Sequence, residues 1–256
     1  MPLSHKYKCL FIHIPRTGGT SFRKMLNIDE EVGNLEYLNT MGLMPVQNNQ
    51  SHLPSHTKPR VLHKEHLCLN HMAQLNLISK DVFDNYYKFA FVRNPWDKVV
   101  SEYTNHFHIY CTDFAEYVEK VKVIVEYLNE NFTFELEEAF YENYSRITFN
   151  ALNNKDLDYP FKPWSGEEVI IDPHFFPQHL FTHDENGNLL VNTIGIFEEF
   201  NDNATDILNY LEVPYSHIIK INSSDRLAYQ DMYTQKTKDI IAGIYDVDIK
   251  MFGYEY

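Results

Sequence analysis

Apolar and polar positions divide the chain into short apolar runs closed by prolines and longer stretches with helical spacing. Residues 7–14, "YKCLFIHI", form a run rich in β-formers that stops at Pro15, which reads as a buried strand of the parallel type. A helix is expected to follow from about Gly19 to Leu26. Residues 27–60, ending in "VQNNQSHLPSHTKPR", are polar and turn-rich and read as a surface excursion, after which "RVLHK" offers a further strand. "HMAQLNLI" suggests a helix. "YKFAFV", 87–92, is a second clear strand, again ended by a basic residue and a proline. Pro95 suits the first turn of a helix, where its missing N–H costs nothing. Over residues 113–128, Phe114, Tyr117, Val118, Val121, Ile124, Val125 and Leu128 recur at helical spacing and predict an amphipathic helix with its aromatics in a core. Residues 153–188 are loop-like, with prolines and an "NGN" turn, and lead into a strand in "LLVNTIGI". Helical patterns return at 201–212 and at 234–250, the latter from near Thr234 to just before Gly253. Strands alternating with helices predict an α/β fold with a mainly parallel central sheet flanked by helices. In such sheets ligands bind at the carboxyl ends of the strands.

Composition narrows the class. At 256 residues and 44% hydrophobic the chain can bury one sizeable core, so a single domain over 1–256 is expected, with surface insertions near 27–60 and 153–188. No run approaches the roughly 18 to 20 apolar residues of a membrane span, and "MPLSHKYKCLFIHIP" lacks the cleavage site of a signal peptide. Cys9, Cys68 and Cys111 show neither metal nor disulfide spacing. These features lead to the expectation of a cytoplasmic protein with reduced thiols and no transmembrane segment. The formal net charge of −14 repels polyanions, so nucleic acid is not expected as a partner. Half of that surplus lies between Asp113 and Glu142, where nine carboxylates face two lysines in what reads as a solvated helix surface.

Two segments carry chemistry. In "FIHIPRTGGTSF", residues 11–22, a strand gives way to a cation, two glycines and hydroxyl residues before a helix. Backbone N–H groups from Thr17 to Ser21 can turn toward an anion there, with the positive end of the helix dipole behind them. A nucleotide-triphosphate loop of the G-x-x-x-x-G-K-[ST] type would place lysine after the glycines, whereas here Arg16 precedes them. In "FVRNPWDKVVSEY", residues 91–103, Arg93 leaves a strand end and Ser101 follows eight residues later, about two helical turns on. A guanidinium and a hydroxyl so placed can grip a second phosphate.

These two segments resemble the 5′-phosphosulfate loop and the 3′-phosphate motif of sulfotransferases that use 3′-phosphoadenosine 5′-phosphosulfate (PAPS), in particular the carbohydrate-type, family 2-like branch. "DPHFFPQHLFTHDENGNLLVNTIGIFEEF", "IIKINSS" and "YDVDIKMFGYEY" are similar to later blocks of that family in the same order. The resemblance implies a P-loop-like three-layer fold and sulfuryl transfer from PAPS to a hydroxyl, with no metal required. It implies that Arg16, the backbone of Thr17, Gly18, Gly19 and Thr20, and the hydroxyls of Thr20 and Ser21 bind the 5′-phosphosulfate. Arg93 and Ser101 would then bind the 3′-phosphate, with Asn222 and Ser223 near the nucleotide. The general base is expected in "LHKEHLCLNH", with His66 first and Glu65 and His63 as alternatives. His174 and Gln178, in "DPHFFPQH", fall in a block that can reach the acceptor, with a structural role as the alternative for each and the first reading for Gln178. Arg16 stands where the family usually has lysine, so charge stabilisation of the leaving group replaces proton donation. Ile196 stands where relatives commonly have arginine. The expected acceptor is a neutral glycan or another hydroxyl compound. Two other functions fit parts of the pattern: a nucleotide kinase-like enzyme, and a non-catalytic binder of the same nucleotide.

Overall fold

The computed structural model describes residues 3–26, 43–45, 60–62, 66–135, 138–156, 170–171, 173–215 and 228–256. Strand β1 (Leu3–Ser4) turns back antiparallel onto β2 (Cys9–Ile12), with Lys8 in the left-handed region at the turn. Helix α1 (Gly19–Leu26) follows β2. Two short strands, β3 (Leu43–Pro45) and β4 (Arg60–Leu62), precede α2 (Leu69–Gln74) and α3 (Lys80–Asn85). Then come β5 (Tyr87–Val92) and α4 (Pro95–Glu102), a single π-helical turn Tyr103–Phe107, and α5 (Phe114–Asn131). The remaining elements are α6 (Glu138–Leu152), β6 (Ile170–Ile171), β7 (Thr193–Ile196), α7 (Phe200–Tyr210), α8 (Gln235–Ile244) and α9 (Asp246–Phe252).

The main sheet has the order β1-β2-β5-β7, and all of its pairs except β1–β2 are parallel. Period-two alternation along β2 and β5 sorts their side chains into two cores. Leu10, Ile12, Ala90 and Val92 face a large cluster with Val118, Val121, Ile124 and Val125 of α5 and Ile241 of α8. Cys9, Phe11, Phe89 and Phe91 face the other way, onto Phe22 of α1 and Phe200, Ala204 and Ile207 of α7. Helices therefore cover both faces, which explains why both strands read as unbroken apolar runs.

Several expectations shift. The strand expected over 7–14 is four residues long. The expected helix at 234–250 is two, parting at Tyr245, whose ring turns inward so that its hydroxyl donates to the Phe175 carbonyl at 3.0 Å. The strand expected in "RVLHK" belongs to a second parallel sheet, β3-β4-β6, rather than the main one. Most of the expected excursion at 27–60, together with His63, Glu65, Asn222 and Ser223, lies outside the described residues.

Candidate active site

The carboxyl ends of β2 and β5 are adjacent because the strands pair in parallel with Phe11 opposite Phe89 and Ile12 opposite Ala90. From β2 the chain turns sharply at Arg16 (φ +65°) and Gly18 (φ +86°) before α1 begins. A Cβ on Gly18 would lie 2.7 Å from the Phe200 ring, and one on Gly19 would lie 1.8 Å from Nε2 of His13. Glycine is thus required twice, once for conformation and once so that the His13 ring can lie against the loop. The Thr17 hydroxyl donates to the Ile14 carbonyl at 2.9 Å and pins the turn from inside. In the first turn of α1 the Ser21 and Phe22 amides donate to the Gly18 carbonyl at 3.0 and 3.2 Å, whereas those of Gly19 and Thr20 lie ahead of any intrahelical acceptor and can serve an anion.

At the end of β5, Asn94 caps α4, its side chain accepting from the Trp96 and Asp97 amides, with Pro95 in the first turn. Arg93 is held on every side. Its Nε donates to Asp97 Oδ2 at 2.7 Å, its Nη1 to the Arg16 carbonyl at 2.8 Å, and its guanidinium lies 4.3 Å from the Phe197 ring centre. The fully buried Gln178 clamps the Arg93 backbone, accepting from its N–H at 2.8 Å and donating to its carbonyl at 2.7 Å. Gln178 is in turn set by Asp248, which accepts from the backbone N–H groups of Gln178 (2.6 Å) and His179 (2.9 Å). Both ends of the Gln178 amide thus serve the Arg93 backbone.

The two turns meet where Arg16 Nε donates to Ser101 Oγ at 3.0 Å. Ser101, buried two turns into α4, lies on the side toward the β2 loop, as its spacing from Arg93 predicts. Next to it Glu102 is 1% exposed. The helix then widens into the π turn, where Thr104 Oγ1 and Asn105 Nδ2 donate to the Val100 and Ser101 carbonyls at 3.0 and 2.9 Å. Such turns recur at functional sites. This one carries His106, whose Nε2 is 3.4 Å from Arg16 Nη1.

A row of four histidine rings borders the loop. His13 and His66 have centroids 4.3 Å apart, His66 and His174 5.3 Å, and His174 and His106 5.2 Å. His66 Nδ1 donates to the His13 carbonyl at 2.9 Å. His174 Nδ1 donates to Glu102 Oε2 at 2.6 Å. Burial pushes the Glu102 carboxyl up, but the charge and hydrogen bond of His174, with Lys98 and Arg16 nearby, outweigh it and hold the group below its ordinary value. Sequence spacing did not reveal Glu102, His106 or Lys98; the only trace was that Lys98 and Glu102 share one face of the Ser101 helix at i,i+4.

Among the described residues, Glu102, His106 and His174 each place one ligand-type atom within 4.8 Å of the others. By spacing they can approach a metal ion, but Lys98 Nζ already lies 3.7 Å from Glu102 Oε1 and Arg16 borders His106. Two cations at the site oppose a third.

A family model described as "Sulfotransferase family" matches residues 2–255. The chain belongs to the sulfotransferase family. No curated protein and no solved structure shows significant similarity to it. As a sulfotransferase it is a transferase of sulfuryl groups acting on hydroxyl acceptors. The α/β architecture with a four-stranded, mostly parallel sheet is that of this member. No helix among the described residues is long and apolar enough to cross a membrane.

Proposed function

We propose that this sulfotransferase moves the sulfuryl group of PAPS to a hydroxyl of a carbohydrate, in a single domain of P-loop-like fold, with a histidine or glutamate as general base. The observation that carries the reading is the junction of the two strand-end turns, where Arg16 meets Ser101 and Arg93 is pinned beneath the Arg16 carbonyl. It fits a donor with two phosphate-like ends: amides, Arg16 and the hydroxyls of Thr20 and Ser21 for the 5′-phosphosulfate, Arg93 and Ser101 for the 3′-phosphate. The donor brings a sulfuryl group on a good leaving group; the protein orients it and stabilises charge growing on the bridging oxygen. Arg16 serves there as a fixed positive charge with a fork suited to two oxygens. A base among the histidines takes the acceptor proton.

The acidic surface favours a neutral glycan over a polysulfated one. Incubation with sulfur-labelled PAPS and a set of neutral, uronic-acid and sulfated oligosaccharides tests this reading. Label is expected in a neutral sugar. Transfer only to sulfated or uronic-acid chains would overturn the acceptor class, and phosphoryl transfer from ATP with Mg²⁺ would overturn the donor.

A further inference from the structure

Helix α4 holds His174 from two ends. Glu102 Oε2 accepts the Nδ1 hydrogen, and Lys98 Nζ, itself 2% exposed, donates to the His174 carbonyl at 2.5 Å. Ring and backbone are thus fixed by the helix that presents Ser101. With Nδ1 committed to a carboxylate, the proton-accepting atom of the neutral ring is Nε2.

The geometry points to His174 as the general base of the sulfuryl transfer and to Glu102 as its positioning partner. The assignment rests on the sulfotransferase reading above and chooses among its histidines. His66 is oriented by a carbonyl, which fixes a tautomer but carries no charge. A buried carboxylate fixes the tautomer and also stabilises the imidazolium that forms, as in Ser-His-Asp triads. Glu102 is held below its ordinary value first by His174 itself, with Lys98 and Arg16 adding to it. In the step, His174 Nε2 takes the acceptor O–H proton while the acceptor oxygen bonds to sulfur. The bond from sulfur to the bridging oxygen breaks, its electron pair leaving on 3′,5′-adenosine bisphosphate. The imidazolium then gives its proton to water.

The groups facing this pair are Lys98 and Ser101 on α4, Arg16 from the β2 loop, His106 from the π turn and His66. The buried phenols of Tyr117 on α5 and Tyr245 at the α8–α9 junction also lie near Glu102; burial pushes both well above the ordinary value, so they stay neutral at working pH.

Slow hydrolysis of PAPS, with water as acceptor, gives a test that needs no sugar. Wild type, His174→Asn, Glu102→Gln and His66→Asn are compared for PAPS consumption from pH 5 to 9 and for calorimetric affinity toward the bisphosphate. His174→Asn is expected to lose about 100-fold or more in rate and the acidic limb of the profile. Glu102→Gln should lose about 10- to 100-fold and move that limb to lower pH, because the imidazolium loses its counter-charge. Bisphosphate affinity should stay within about threefold in both, and the limb should survive in His66→Asn. A His174→Asn rate within fivefold of wild type, a limb that vanishes with His66 instead, or activity lost to a chelator and restored by zinc would overturn the assignment while leaving the family reading standing. Wild-type protein that neither binds the bisphosphate nor consumes PAPS would overturn that reading itself.

Discussion

The two sides of the site are built differently. The proposed donor side consists of two strand-turn-helix units, each continuous in sequence: Ile12 to Leu26 and Val92 to Glu102. The proposed proton-handling side is assembled from His13, His66, Glu102, His106 and His174, which come from four separate stretches of chain. An anion cradle can be local, because successive amides and one helix dipole suffice. A base needs a partner held at one distance, and only packing supplies that. Substitutions on the donor side should therefore change binding and rate together, whereas those on the histidine side should change rate and pH dependence alone.

The largest departure is expected from Arg16→Ala, which removes the cation shared by both sides through Ser101 and His106. About 100- to 1000-fold in kcat is expected, the worth of one charge-stabilising donor in a transition state. Steady-state kinetics with PAPS checks it; a loss confined to KM would break the comparison. His71 sharpens it, as a buried histidine with no part in the row. Its Nε2 donates to the Thr133 carbonyl at 3.0 Å and its Nδ1 accepts from the Tyr141 hydroxyl. Burial lowers its pKa to about 4, offset only in part by the carbonyl hydrogen bond. Unfolded chain takes up this proton near pH 6.5 and folded protein only near 4, so the stability involved is complete above 6.5 and is lost as pH falls between those values. The loss should come to about 2.5 kcal/mol, read by denaturant unfolding at pH 7 and pH 4.5, and His71→Gln should flatten it.

Asp248→Asn should cost about 2 kcal/mol of stability, because its carboxylate is fully buried and accepts two backbone N–H groups beneath Gln178 and His179. Urea denaturation measures the cost, and bisphosphate binding should weaken with it, since Gln178 sets Arg93. Ser101→Ala is the smallest. One neutral hydroxyl is worth about 1 kcal/mol, so calorimetry should find bisphosphate bound about fivefold more weakly.

The same contrast explains what could be read from sequence. Gly19–Leu26 and Tyr87–Val92 match their expected bounds, because glycine pairs and prolines punctuate both. The helix Glu138–Leu152 went unread because its apolar positions are interleaved with Asn, Ser, Thr and Arg after the acidic stretch that ends at Glu142. The second sheet escaped because its strands are two or three residues long and cannot show a period. Spacing singled out Arg16, Arg93 and Ser101, and the two turns that carry them do meet. Glu102 sits one residue beyond Ser101 and yet was not, because its meaning comes from His174, 72 residues away.

Donor binding at the two turns is tested most directly by one titration: the protein against 3′,5′-adenosine bisphosphate, beside ATP with Mg²⁺, for wild type and Arg93→Ala. Micromolar bisphosphate binding that Arg93→Ala weakens by about 1.5 to 3 kcal/mol, the worth of a charged hydrogen bond, with ATP far weaker, is the expected result. ATP binding more tightly, or bisphosphate binding indifferent to Arg93, would contradict it.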